Sequence, residues 1–249
     1  MKAEKGKARI SAPVIVLLAT ALVLAFTMIG TAQAALDKKT NVYEANLTLS
    51  SLDVSLTENG EDRVDGSTLL ENLTAGEKFA FGKKYDEDLA AVNEGSQPEY
   101  VRVTINKYWL EPNGSVWTKD TSLSPAYIEP GWVSDGWVMA DGSKPTKDNT
   151  SGEQVVLYSV NPLDPGESLS FMNTLRISPD VLGEAEPEYI DKKVEGGVYY
   201  VTTKYKYENR EFGIDVEVAS VQTHNAADAI KSAWGIDAAK AGINVKEVA

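Results

Sequence analysis

Apolar and polar positions alternate most clearly over Pro98–Trp109, PEYVRVTINKYW. Val101, Val103 and Ile105 share one face of an extended strand, and Tyr100, Arg102, Thr104 and Asn106 share the other. β-Branched and aromatic residues dominate, and after Pro98 no Gly or Pro interrupts the run, which predicts a central strand. The same period recurs at Leu52, Val54 and Leu56, at Val155–Val160, and through Leu169, Phe171, Asn173, Leu175 and Ile177. Val42–Leu49 and Lys78–Phe81 are shorter candidates, and Val198–Tyr207 and Phe212–Val221 are expected to pair around Glu208-Asn209-Arg210. Turns are expected at Glu58–Glu61 and at Asn161–Gly166, where two prolines fix φ and Gly166 permits a positive value. Tyr85–Pro98 reads as an acidic loop, 110–152 as an elaborated loop region with short strands, and 178–196 as an acidic insertion. Only Ala226–Trp234 has a helical pattern, with Gly235 as its stop. The sum is an all-β, two-sheet sandwich over residues 35–249, with long loops and a short C-terminal helix.

The first 34 residues stand apart. Lys2, Lys5, Lys7 and Arg9 precede an apolar run from Ala12 to Gly30, followed by Ala32-Gln33-Ala34. This is the order of a signal peptide cleaved before Ala35. The competing reading is a retained anchor, since the run is long enough to reach across a bilayer. The leader holds four of the 24 basic and one of the 37 acidic residues, leaving 20 against 36 and a formal charge of −16. Such a balance argues against nucleic acid and anionic membrane surfaces as partners. The chain has no cysteine, so the exported domain must stand on packing and hydrogen bonds alone.

Four stretches resemble one family in order and spacing. They are Thr40-Asn41-Val42 through Val54–Glu58; Leu73–Glu77 with Val92–Ser96 and Tyr100–Val103; Tyr158 through Leu163–Ser168; and Val216–Gln222 followed by Ala233-Trp234-Gly235. Together they resemble the TasA/camelysin-type exported proteins over most of residues 35–235. The resemblance implies a jelly-roll-like sandwich, export with cleavage by a dedicated signal peptidase, and a role in cell-surface or biofilm-matrix fibres. In these fibres the N-terminal strand of one subunit completes the sheet of the next. Tyr158-Ser159 and the 178–196 insertion depart from the family pattern. By this resemblance 35–49 is the assembly strand, with Val42, Tyr43, Leu47 and Leu49 as its contacts, and the partner is a second copy or a homologous subunit; the alternative is that the same strand folds back onto its own sheet, giving a closed monomer. Termini are rarely ordered unless docked, and an open sheet edge invites pairing.

Some relatives are described as metalloproteases, and a catalytic zinc needs about three protein ligands. This chain has one histidine, His224, and no HExxH motif, so no catalytic residue is expected. Calcium is the one metal left open. Glu58–Asp62 with Asp65, and Asp86-Glu87-Asp88, supply oxygen atoms but lack the EF-hand spacing, and they read as solvated acidic loops. A different class of function rests on Trp109, Trp117, Trp132 and Trp137. Exposed in a row they would stack on sugar rings in a glycan-binding module; buried, they would anchor long loops. Arg102 has two readings of its own: a place beside these rings, or a pair with an acidic side chain.

Overall fold

The computed structural model describes residues 52–63, 68–184, 191–195, 198–202 and 205–245. The leader, its Ala32, Ala34 and Ala35, and the segment with Val42, Tyr43, Leu47 and Leu49 lie outside the described residues. The rest is an all-β sandwich of two antiparallel sheets.

One sheet runs β2 (Glu61–Arg63), β1 (Val54–Glu58), β3 (Lys84–Asn93), β9 (Ser168–Ile177), β6 (Ile128–Trp132). The other runs β12 (Glu211–Gln222), β4 (Glu99–Asn113), β8 (Gln154–Ser159), β7 (Trp137–Val138), with β5 (Val116–Asp120) paired to the far end of β4. The chain crosses between the sheets repeatedly, as a jelly roll does. β4 is central as its pattern requires, and Val101, Val103 and Ile105 are buried between the sheets. With them Leu89, Leu157, Phe171, Leu175 and Ile177 form one continuous core.

The other face of the β4 sheet is half covered. The helix α1 (Ala226–Trp234) stops at Gly235, whose φ of 73° is the left-handed value that favours glycine. Ile230 of α1, with Ala238, Ala241 and Ile243 beyond it, packs on Tyr100, Tyr158 and Val221. The Tyr100 hydroxyl donates to the Asn244 carbonyl at 2.7 Å, tying this C-terminal segment to the central strand.

Three expectations are corrected. Lys78–Phe81 is not a strand, and the supposed loop after Tyr85 holds the ten-residue β3. Tyr85, Glu87, Leu89, Ala91 and Asn93 are its alternating buried set, against exposed Lys84, Asp86 and Asp88. A carboxylate within the buried set disguised the period. Finally, β11 (Val198–Thr202) pairs with β10 (Asp191–Glu195) and not with β12. The pair between them in sequence, Gly196-Gly197, is a two-residue hairpin signal that the acidic surroundings obscured.

Candidate functional site

Sheet edges are where a sandwich can accept another chain, and most of those described are blunted. β2 is three charged residues, Glu61-Asp62-Arg63; β7 is two residues; β6 carries Pro130 and Gly131. These are standard protections against edge pairing. β12 is the exception. Its twelve residues contain no proline and pair with β4 along their whole length, from Glu211 opposite Leu110 to Gln222 opposite Glu99. Among the described residues, no strand pairs with its other edge.

The pattern of β12 follows from its place. Phe212, Ile214, Val216 and Val218 pack against the main core, but of these only Ile214 is fully buried. The sandwich is thus incompletely closed along this margin, where β1 of the facing sheet approaches. Acidic residues line the outward face. Arg102 pairs with Glu217 at 3.2 Å, so the arginine takes the second of its two readings. The Tyr108 hydroxyl donates to Asp215 at 2.9 Å, and burial, then that carboxylate, pushes the phenol up to about 12.

The tryptophans do not form a row. Trp109 and Trp137 are core residues, 3% and 0% exposed, so glycan contact at those two positions is corrected to loop anchoring. Trp109 donates its indole N–H to the Ser124 carbonyl at 2.8 Å, and Trp137 donates to the Ser170 carbonyl at 2.8 Å. Half-buried Trp132 donates to the Thr150 hydroxyl at 2.7 Å. Of the four, only Trp117 stands substantially exposed, at 44%, on the β4–β5 ribbon. Large indoles need burial and a partner for one N–H, and three of the four find both.

His224 is exposed between β12 and α1. No group of three His, Cys, Asp or Glu residues among the described residues is placed to hold a metal ion. The two stretches considered for calcium are not simply solvated, however. Glu58 and Glu87 are each 2% exposed. Glu58 accepts from the Leu70 amide at 2.7 Å and pairs with Arg63 at 2.5 Å. Glu87 accepts from the Asn59 side-chain amide at 3.2 Å. Burial, then the adjoining Glu58 carboxyl, pushes Glu87 up to about 7, although Asn59 and Arg63 oppose the shift.

Sequence reasoning missed further buried ionisable groups. Lys107 is 1% exposed and reaches across the core, donating to the Ile128 carbonyl at 3.1 Å and the Thr150 carbonyl at 2.7 Å. The space beside it measures about 10 Å³, room for one water and no substrate. Glu129 also lines that space and is held by Lys147 at 2.7 Å and by Arg176. Glu99 is 0% exposed, its carboxyl set beside the Ser220 hydroxyl and the Asp53 backbone. The signal was available: Glu99 and Lys107 have the same parity on β4 as Val101, Val103 and Ile105.

Compared with known proteins, the chain matches no family model and no curated protein.

Proposed function

We propose that this chain is an exported, non-enzymatic structural protein of the TasA/camelysin type. It assembles into fibres at the cell surface or in a biofilm matrix, after cleavage before Ala35. In this reading residues 35–49 of one subunit add a strand to the open edge of β12 in the next. The observation that carries it is that edge: twelve residues, no proline, and half-covered Val216 and Val218 beside it. The other described edges are short or interrupted, so β12 is where pairing meets least resistance.

The magnitudes allow reversible assembly. Each added backbone hydrogen bond contributes about 1 kcal/mol net. Burying two or three side chains among Val42, Leu47 and Leu49 adds roughly 1.5–3 kcal/mol each. Association itself costs about 4–15 kcal/mol, so fibres should grow only above a threshold concentration. A synthetic peptide of residues 35–49, in excess over mature protein, should occupy the edge and shorten the fibres seen by electron microscopy. Unchanged fibre length at saturating peptide would count against β12 pairing.

A further inference from the structure

We propose that β1 is a proton-gated strand: the buried carboxyls at its two ends, Glu87 beside Glu58 and Glu99 beside Asp53, dock it in its sheet when Glu87 and Glu99 are protonated and loosen it when those two are charged. β1 is only five residues long, lying between β3 and the three-residue β2. A strand so short depends on what holds its ends.

At the C-terminal end, Glu58 closes β1, and the chain turns at Asn59 and Gly60, with φ of 53° and 83°. The Asn59 backbone amide donates to the Asp88 carbonyl at 2.7 Å, and its side-chain oxygen accepts from the Asp88 amide at 3.0 Å. This stitching falls where β3 shifts register against β9 between Asp86 and Leu89. A bulge of this kind re-aims a side chain, and here Glu87 is buried against Glu58. From the elements around it, the charged or titratable groups facing Glu87 are Glu58 of β1 and Arg63 of β2, with Asn59 as a neutral donor. Glu58 is engaged twice more, by Arg63 and by the amide of Leu70, whose φ of 67° is a left-handed value that leucine rarely adopts. The contact therefore also pins the segment carrying Leu69, Leu70, Leu73 and Phe79 against the core.

At the N-terminal end, the Asp53 carbonyl accepts from the Glu94 and Gly95 amides at 2.8 and 3.0 Å. Near it lies Glu99, wholly buried. Burial raises its pKa and the Asp53 charge adds to the rise, while the Ser220 hydroxyl and the Asp53 backbone oppose it. The charged and polar groups facing Glu99 are thus Asp53 before β1 and Ser220 of β12. A neutral carboxylic acid suits this site, and a carboxylate does not.

The sign follows from the raised values. Folded Glu87 and Glu99 bind protons more tightly than the unfolded chain does. Their stabilisation is complete below the ordinary glutamate value of 4.5, and for Glu87 it is lost as pH rises through about 7. Above that, Glu58 and Glu87 repel in a buried site served by one arginine. Because β1 follows the 35–49 segment in sequence, its release would add residues to the stretch available for pairing with another subunit. That consequence rests on the assembly reading, whereas the gate does not.

Amide hydrogen exchange on soluble mature protein tests the gate apart from any fibre. After correction for the chemical exchange rate, protection over residues 54–60 should fall about tenfold between pH 6 and pH 8.5, the equivalent of one pKa unit. Protection in β8 should hold, which separates local release from global unfolding. The Glu87→Gln, Glu99→Gln double variant imitates the protonated groups and should keep β1 protected at pH 8.5. Equal wild-type protection at both pH values, or a double variant that loses it in parallel, overturns the proposal. If the double variant does not fold, carbon NMR titration of wild-type Glu87 decides: a midpoint near 7 supports the gate, and an ordinary carboxylate midpoint refutes it.

Discussion

Lys107 shows how a single side chain can join two sheets of a sandwich. It lies on the same inward face of β4 as Ile105, and its ammonium donates to the carbonyls of Ile128 on β6 and Thr150 in the loop before β8. Burial lowers its pKa to about 8, and the Glu129 charge only partly restores it. Lys107→Met would orphan two carbonyls, at about 1–3 kcal/mol each. It would also relieve a buried charge costing roughly 3 kcal/mol, by the size of the pKa change. These oppose each other at neutral pH, so the slope with pH is the better readout. A base with a depressed folded value binds fewer protons than the unfolded chain between about 8 and 10.5, so this group's contribution to stability rises over that window. Between pH 8 and pH 10 the urea unfolding midpoint should therefore gain less in Lys107→Met than in wild type. Identical changes would mean that the ammonium is not titrating inside the core.

At the scale of elements, legibility depended on whether a strand's buried face was purely apolar. The core of β4, β8, β9 and α1 were readable because Val, Ile, Leu and Phe marked their period and Gly166 and Gly235 marked nearby turns or ends. β3 was hidden because Glu87 and Asn93 occupy buried positions, and Asp86-Glu87-Asp88 has the composition of a loop. Likewise the tryptophans left a platform open beside the more usual loop anchoring, and the placement of Ser124, Thr150 and Ser170 beside three indole N–H groups separates the two. The β4–β12 pairing contains a close approach that composition does not show. A Cβ on Gly213 would sit 2.5 Å from the Tyr108 ring, which covers that glycine and reaches Asp215. Gly213→Ala must displace the ring, the outer end of a half-buried side chain, at up to about 1 kcal/mol of stability. The Tyr108 phenol should then titrate below its raised value of about 12, as followed by ultraviolet absorbance. A variant with wild-type stability and an unmoved phenol would show that the sheet absorbs the methyl group elsewhere.

At the scale of the whole described domain, the sandwich has unequally protected edges, and that inequality is what the proposed function uses. Fold class, central strand and terminal helix were legible because each is a repeating local pattern. An open edge was not, because edge status depends on which strands fail to meet, and a period along one strand says nothing of a missing neighbour. The choice of β12 as acceptor therefore comes from the topology, while the donor segment 35–49 comes from sequence resemblance. Deleting residues 35–48 from the mature chain separates them, since the sandwich from β1 onward is left intact. Sedimentation and electron microscopy of the two proteins at matched concentration give the most direct test. Fibres from the full mature chain and a soluble, folded monomer from the truncated one are the predicted result; the same fibres from both, or a full chain that stays monomeric at every concentration, would contradict it.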